Sequence, residues 1–256
     1  MKTYEQQTII KEVEMSQVII SKLREMKLYG MSNAYQTSLE MKQPVTADEL
    51  LNILVEAEWQ ERNNRMQSRK ITQAQFRYQA HISELDFSAD RKLDKLSIMR
   101  LADCSFIERG QNIIITGKTG AGKSYLASAL GRQACLKGVN VMYANTTRLF
   151  SSLKMSKADH SYPQEIKQIS KRQLLILDDF GLEPLDGESR LILLDILEDR
   201  HERFSTIITS QLPVSCWHEV IGEPTLADAI LDRVVHASHR IEIEAKQSMR
   251  KKNLTV

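Results

Sequence analysis

The stretch Gly117-Lys-Thr-Gly-Ala-Gly-Lys-Ser124 (GKTGAGKS) matches the pattern G-x-x-x-x-G-K-S of a phosphate-binding loop. A β-branched run at residues 113–115 precedes it, and a helix-like run at residues 125–130 follows it. A strand, a glycine-rich turn and a helix in this order surround an anion with backbone N–H groups and the positive end of a helix dipole. The stretch therefore predicts a nucleotide site within an α/β domain.

Each part of the loop has a predicted task. Glycines permit the tight turn and the close approach of the backbone to the phosphates. Lys123 should reach the β- and γ-phosphate oxygens, and the Ser124 hydroxyl should meet Mg²⁺. A turn that binds nothing is the alternative, and the flanking strand and helix argue against it. The predicted nucleotide-binding set is Gly117, Lys118, Thr119, Gly120, Ala121, Gly122, Lys123, Ser124 and Tyr125.

Strands and helices alternate around and after this loop, which indicates a parallel sheet with helices on both faces. The predicted strands cover residues 113–116, 139–144, 174–178, 206–210 and 241–243. The predicted helices cover residues 123–137, 147–155, 164–170, 188–202 and 226–237. The sequence therefore predicts an α/β fold for this part of the chain.

The first 85 residues have helical patterns only. Apolar residues recur at helical spacing over residues 7–28, and Gly30 with Ser32 predicts the end of that helix. Thr46 and Glu49 have the spacing of a capping box, so another helix should start there.

The domain boundary is predicted from this change of pattern. A weaker cap, Thr72-x-x-Gln75, predicts one further helix, and residues 86–101 have no defined pattern. We expect a helical N-terminal domain over residues 1–85 that contributes to DNA binding or assembly, and a nucleotide-binding domain over residues 86–256. By position alone, residues 103–109 are expected to border the base.

Two aspartates follow the most apolar predicted strand. Residues 174–177 read Leu-Leu-Ile-Leu and lead directly into Asp178 and Asp179. A buried strand that ends in carboxylates places them beside the metal in folds of this kind. We assign Asp178 to Mg²⁺ through its hydration shell and Asp179 to orienting the attacking water, which favours hydrolysis over transfer to a small acceptor. A strand that ends in a polar turn is the alternative.

A second predicted strand ends in the polar residues Thr209, Ser210 and Gln211. Ligands of open α/β sheets bind at the carboxyl ends of the strands, so one of these side chains should face the γ-phosphate. We choose Ser210 and keep its two neighbours as alternatives. Arg233 follows a later helical run and either completes the site of a neighbouring subunit or forms a surface ion pair. The residues by themselves favour the ion pair.

The charges are segregated along the chain although the formal net charge is only +2. Residues 62–83 and 109–158 hold basic residues and no acids, whereas nine carboxylates lie within residues 178–202. Acid-free basic stretches are typical of proteins that bind the DNA backbone with little base preference. A solvated basic face, balanced by the acidic helix, is the alternative. The predicted DNA-contacting residues are Arg62, Arg65, Arg69, Arg148, Lys154 and Lys157.

Other classes of protein find little support. Three cysteines without close spacing argue against a disulfide framework or a cysteine zinc site, and the histidines lack the spacing of metal ligands. Mg²⁺ bound with the nucleotide is the only metal that we expect. No apolar run approaches the length needed to cross a bilayer, so we expect a cytoplasmic protein without a membrane partner.

Several stretches together resemble the IstB-type helper ATPases of insertion sequences. They are residues 56–60 (EAEWQ), 174–181 (LLILDDFG), 209–213 (TSQLP), 217–219 (WHE), 221–233 (IGEPTLADAILDR) and 248–251 (SMRK). The resemblance covers nearly the whole chain. It implies an AAA+ ATPase akin to the DnaC and DnaI helicase loaders, with a five-stranded parallel sheet. It also implies that ATP drives a homo-oligomer, a ring or spiral, on double-stranded DNA beside a cognate transposase.

The resemblance also implies roles for single residues. Arg233 matches the arginine-finger position, which makes the contact with a neighbouring subunit the favoured interpretation. Arg250 falls near the place of a second sensor arginine. Asp179 stands where the usual AAA+ pattern has glutamate, which leaves the strength of basal hydrolysis open.

Three other functions compete with a transposition helper. A replicative helicase loader would have the same loop chemistry and differ only in its protein partner. A small-molecule phosphotransferase would be a monomer with an acceptor substrate and no need of Arg233. A non-enzymatic scaffold gated by ATP would keep its function when Asp179 is replaced.

Overall fold

The computed structural model describes residues 2–41, 45–88, 93–236 and 238–244. The chain folds into two compact units, Met1–Ser68 and Arg69–Val256. The division falls earlier than the predicted boundary at residue 85, because residues after Ser68 belong to the sheet core. Ala74 is buried there, and Phe76 packs against it. Arg250, the predicted second sensor, lies outside the described residues.

The first unit is built from helices α1 (Lys2–Glu25), α2 (Tyr29–Met41) and most of α3 (Ala47–Ala74). The predicted capping box at the start of α3 is confirmed. The Thr46 N–H donates to Oε2 of Glu49 at 2.8 Å, and the Glu49 N–H donates to Oγ1 of Thr46 at 3.3 Å. These bonds satisfy backbone groups that a helix start leaves open.

The helix predicted over residues 7–28 does end close to the predicted place, at Glu25, where Lys27 has a left-handed φ of +60°. Gly30 is not its stop signal but lies inside α2, so that part of the prediction is wrong. Its N–H donates to Oε2 of Glu58 at 2.9 Å, and a Cβ at this position would collide with the backbone of Ala57 and Glu58. The glycine therefore allows α2 and α3 to approach each other closely. The predicted cap at Thr72 is also wrong, because α3 continues through it and ends before Gln75, whose φ is +55°.

The second unit contains five parallel strands in the order β2-β3-β4-β1-β5, which confirms the predicted fold class. Every predicted strand is present, with ends shifted by a few residues. The strands are β1 (Asn112–Gly117), β2 (Val141–Asn145), β3 (Leu174–Phe180), β4 (Ser205–Ser210) and β5 (Ser238–Ile243).

Helices cover the sheet in the predicted order. The predicted helices correspond to α6 (Lys123–Leu136), α7 (Thr146–Ala158), α8 (Tyr162–Ser170), α9 (Gly187–Arg200) and α11 (Pro224–Val235). The predicted end of the last helix, residue 237, lies outside the described residues. The structure adds the short helices α4 (Lys95–Ala102), α5 (Ser105–Glu108) and α10 (Trp217–Ile221), which were not predicted. No helix in the described ranges is long and apolar enough to span a bilayer.

Both faces of the sheet are buried, so its strands are apolar runs without alternation. Ile113 and Ile176 point to one face and pack with Leu126 of α6. Ile114 and Leu175 point to the other face and pack with residues of α7, α9 and α11. Two packed faces hold the strands rigidly, which fixes the positions of the loops at the carboxyl edge of the sheet.

Candidate nucleotide site

The phosphate loop lies between the end of β1 and the start of α6, as predicted. Gly117 and Gly122 have φ values of +147° and +99°, which side chains rarely adopt. A Cβ at Gly117 would also collide with the carbonyl oxygen of Ile243. The Lys123 ammonium is largely buried and donates to the carbonyls of Gly117 at 2.7 Å and Lys118 at 3.0 Å. The loop is therefore folded around its own lysine.

A cavity of about 350 Å³ opens directly beside the loop. From the predicted set, Thr119, Gly120, Gly122, Lys123, Ser124 and Tyr125 line it, together with Arg77, Tyr78, Glu84, Asp179 and Gln211. The Tyr125 hydroxyl donates to Oε2 of Glu84 at 2.7 Å, and the rings of Tyr78 and Tyr125 are 6.2 Å apart. The cavity combines a phosphate-binding edge with aromatic side chains.

The residues expected to border the base lie elsewhere. Asp103 lies beside Lys137, whose ammonium donates to its carbonyl at 2.8 Å. Arg109 lines a different cavity, beside Arg233. Tyr78 and Glu84 occupy the position next to the loop instead. Proximity in sequence to β1 was therefore a poor guide to the wall of this cavity.

A β-bulge at the end of β3 orients the two predicted acids. Leu177 is opposite Ile208 and Phe180 is opposite Ser210, so β3 has one more residue than β4 in this interval. Asp179 takes up the extra length with a φ of +61°, a strained value that aspartate tolerates better than most residues. Asp178 remains fully buried while Asp179 faces the cavity.

Thr209 stabilises this bulge through two hydrogen bonds. Its hydroxyl donates to Oδ1 of Asp178 at 2.6 Å and accepts the N–H of Asp179 at 3.0 Å. One side chain thus fixes both a carboxylate and the strained backbone beside it. Such a double contact holds the acid pair in a single arrangement.

Ser210, which was predicted to face the γ-phosphate, does not line the cavity beside the loop. Its hydroxyl is fully buried, donates to the carbonyl of Phe180 at 2.8 Å and accepts the N–H of Leu212 at 3.1 Å. Gln211 lines the cavity, and its Oε1 accepts a hydrogen bond from Thr119 Oγ1 at 2.6 Å. Of the three residues considered, Gln211 is the one that reaches the phosphate loop.

Three further residues contact the acids, and no sequence pattern predicted them there. The Tyr143 hydroxyl donates to Oδ2 of Asp178 at 2.5 Å. Asn145 Nδ2 donates to Oδ2 of Asp179 at 3.3 Å. Arg77 Nη1 lies 3.0 Å from Oδ2 of Asp179 and 3.4 Å from Oδ2 of Asp178. Asn145 at the end of β2 could have been found by the rule that identified the acids, because it also ends a strand.

The donor set suits a hard cation bound with a nucleotide. No group of three or more His, Cys, Asp or Glu side chains within the described ranges could hold a metal ion without other ligands. Mg²⁺ in phosphate sites is bound by one or two protein oxygens together with phosphates and waters. The Ser124 hydroxyl lines the cavity, and the buried Asp178 carboxylate lies directly behind Asp179, where it would act through waters of the ion.

Arg233 lies at the amino ends of the strands, opposite the carboxyl edge of the sheet that holds the phosphate loop. The carbonyl of Arg233 accepts from Nδ2 of Asn112 at 3.0 Å, and Asn112 is the first residue of β1. The phosphate loop follows the last residue of that strand, about 17 Å away. The Arg233 guanidinium forms an ion pair with Glu198. A cavity of about 510 Å³ lies beside Arg233. Arg233 therefore cannot reach the loop of its own chain.

The predicted DNA-contacting residues have different environments. Arg62 and Arg65 are more than half exposed and pair with Glu58 and Glu61 one helical turn earlier in α3. Arg69 and Arg148 are exposed. The remaining two form ion pairs at the N-terminal end of α9, because Lys154 pairs with Asp186 at 2.5 Å and Lys157 with Glu188 at 3.4 Å.

A sequence model of the family described as IstB-like ATP binding protein matches residues 21–255. The insertion sequence ATP-binding protein y4pL of Sinorhizobium fredii is 43% identical over 233 residues, which cover 90% of this chain and 95% of the relative. The insertion sequence IS21 ATP-binding protein of Pseudomonas aeruginosa is 31% identical over 232 residues, which cover 90% of this chain and 86% of the relative.

Solved structures share the fold of the second unit. The crystal structure of DnaI has a TM-score of 0.56 and 25% identity, and the match covers 68% of this chain and 93% of that one. DnaA bound to AMPPCP and single-stranded DNA has a TM-score of 0.57 and 16% identity, and the match covers 70% of this chain and 56% of that one. The second likeness concerns the fold alone.

Proposed function

Because the chain belongs to the IstB-like ATP-binding protein family and is a P-loop ATPase of the AAA+ class, we propose that it assembles with ATP and Mg²⁺ into a ring or spiral on double-stranded DNA. In this form it helps a transposase to select and engage target DNA. The insertion sequence relatives support the transposition role. The position of Arg233 carries the proposal of a shared, oligomeric site.

The separation of Arg233 from its own loop supports assembly. An arginine finger lowers the barrier by stabilising negative charge that develops on the transferred phosphoryl group. Arg233 is held at the start of β1, whereas the loop lies at its end. It could therefore complete only the site of another copy. Its contact with Glu198 would be exchanged for the neighbour's nucleotide on assembly.

The residues at the cavity have distinct proposed tasks in hydrolysis. The loop backbone and Lys123 bind the β- and γ-phosphates, and Gln211 faces the γ-phosphate. Asp179, aimed into the cavity by the bulge, orients the attacking water. Asp178 and Ser124 would hold Mg²⁺, which supplies positive charge to the phosphate oxygens when bound.

DNA is proposed to bind through the exposed arginines of α3 and α7. Arg62, Arg65, Arg69 and Arg148 are exposed, and each phosphate that they neutralise would release a counterion. Lys154 and Lys157 contribute less in this proposal, because their ion pairs with Asp186 and Glu188 would have to break first. Backbone contacts of this kind carry little sequence preference.

The DNA proposal is tested by duplex affinity at several salt concentrations. Replacing Arg62, Arg65 and Arg69 together with glutamine should weaken binding in the presence of ATP and reduce the slope of log affinity against log salt by about two to three units. Replacing Lys154 and Lys157 with glutamine is the control, with a smaller effect. Equal affinity and slope in the triple variant and the native protein would exclude these three arginines as DNA contacts.

A helicase loader remains the second candidate because DnaI shares the fold at 25% identity. The identity of the protein partner separates the two functions. Capture of a cognate transposase, but not of the replicative helicase, by the ATP-loaded protein is the expected result. The opposite pattern of capture would favour the loader.

A further inference from the structure

Arg77 forms an unusual contact in the candidate site. It lies three residues beyond the end of α3, and its Nη1 lies 3.0 Å from Oδ2 of Asp179 and 3.4 Å from Oδ2 of Asp178. Its side chain is 42% exposed, whereas Asp178 is fully buried. The guanidinium thus approaches the acid pair from the solvent side of the cavity. Arg77, Asp179 and Ser124 line the same cavity, so a cation bound there with a nucleotide would lie close to the Arg77 guanidinium.

The backbone next to Arg77 is anchored independently of the Arg77 side chain. Phe76 packs against the sheet core, and its ring meets Tyr143 edge-on at a centroid distance of 6.3 Å. Gly131 of α6 leaves room for that ring, because a Cβ there would lie 2.6 Å from Phe76. The Arg77 guanidinium lies 5.6 Å from the Tyr78 ring centroid. The side chain can therefore exchange its contacts while the segment stays in place.

We propose that Arg77 and the nucleotide-bound Mg²⁺ compete for the Asp178 carboxylate and for the negative charge of Asp179 beside it. Two cations next to the same oxygens repel each other, and the repulsion is strong where solvent is partly excluded. Loading of the magnesium nucleotide therefore displaces the Arg77 guanidinium, and Arg77 raises the Mg²⁺ concentration that nucleotide binding requires. This inference rests on the proposed use of Asp178 with Mg²⁺.

If Arg77 instead bound the phosphates of the nucleotide, its loss would have the opposite effect on nucleotide binding. Arg77 also lines the cavity together with Gly120 and Lys123, so its guanidinium could bind the phosphates of a nucleotide directly. Loss of a phosphate ligand would weaken nucleotide binding with and without Mg²⁺. Loss of a competitor would leave binding without Mg²⁺ intact and strengthen binding at limiting Mg²⁺. The contacts with both carboxylates favour competition.

The test is a titration of Mg²⁺ into the full chain with a fluorescent ATP analogue, read as bound fraction and not as hydrolysis. For Arg77→Gln, we expect the half-saturating Mg²⁺ concentration to fall about fivefold or more. Arg77→Lys keeps the charge and should stay close to the native value. Arg100→Gln removes the same charge from an exposed position of α4 and is the matched control, with no change.

The outcomes separate this inference from the proposed function. If native binding depends on Mg²⁺ but Arg77→Gln shows an unchanged or higher half-saturating concentration, the competition is wrong. Weaker binding of Arg77→Gln in EDTA would assign the residue to the phosphates. If the native protein binds the nucleotide without regard to Mg²⁺, the proposed magnesium site fails as well. Thermal melts of each variant establish that it is folded, and Arg77→Met, which also removes the charge and should show the same fall, decides the question if Arg77→Gln is not.

Discussion

Tyr143 donates a hydrogen bond of 2.5 Å to Oδ2 of Asp178, across the boundary between β2 and β3. Burial and the nearby carboxylate raise the pKa of Tyr143 far above its ordinary value. The phenol therefore stays protonated at neutral pH and donates to the acid. Together with Thr209, it fixes both oxygens of the buried carboxylate.

Replacing Tyr143 with phenylalanine should slow ATP hydrolysis about tenfold. The ring would still pack against Phe76, but Asp178 would lose a bond to a charged acceptor, which is worth roughly 1.5–3 kcal/mol. The expected loss is in kcat, with little change in nucleotide affinity, because the acid would be less well positioned while the loop is untouched. Steady-state kinetics with a separate binding titration would measure both. An unchanged kcat would show that Tyr143 does not position the acid.

Gly30 should be essential to the stability of the first unit. In Gly30→Ala, the added methyl would force apart the backbones of α2 and α3, which should cost about 1–3 kcal/mol. Gly187→Ala is the matched control, because nothing lies within 4 Å of the added atom at the start of α9. Chemical denaturation followed by circular dichroism should show a lower midpoint for the first variant only. Equal midpoints would contradict the close approach of the two helices.

The stabilising effect of Asp186 should disappear in acid. Its bond with Lys154 and the capping bonds to Ser189 lower the pKa of Asp186 from 3.8 to about 2. A lowered folded-state pKa stabilises the protein above the unfolded value, and this contribution is lost as the pH falls from about 4 towards 2.

Asp186→Asn retains a capping side chain but removes the charge, so it isolates this effect. Its melting temperature should lie about 1–2 °C below that of the native protein at neutral pH, since the pair is largely exposed. The difference should shrink as the pH falls below 4. A difference that stays constant down to the acid transition would exclude the ion pair as its cause.

The parts of the site that could be predicted from the sequence are local in the chain. The loop with Lys123 and the acids Asp178 and Asp179 each follow an apolar strand, and the strand-end rule places them at one edge of the sheet. Helix caps such as Thr46 with Glu49 are local in the same way. Such patterns need only a few consecutive residues, which explains their success.

The features that could not be predicted depend on contacts between segments that are distant in the sequence. Arg77 meets Asp178 and Asp179 from 101 and 102 residues away, and no local pattern reports that. Ser210 was chosen by its strand-end position, but the bulge in β3 turns Ser210 to the backbone of Phe180 and leaves Gln211 at the cavity. A glycine inside a helix is read as a stop unless the neighbouring helix that requires it is known, as with Gly30.

The central claim is that one chain supplies the loop and another supplies Arg233. Lys123→Ala and Arg233→Ala should each lower ATP hydrolysis about 10³-fold or more, measured with duplex DNA present. Arg233→Ala should still bind the nucleotide. Light scattering should show growth in mass of the native protein with ATP and DNA.

Mixing the two inactive variants tests this claim most directly. In a mixed assembly, the intact loop of Arg233→Ala would meet the intact Arg233 of Lys123→Ala, so part of the hydrolysis should return. If the mixture stays inactive although the two proteins co-assemble by light scattering, or if Arg233→Ala alone hydrolyses ATP at the native rate, the shared site is excluded.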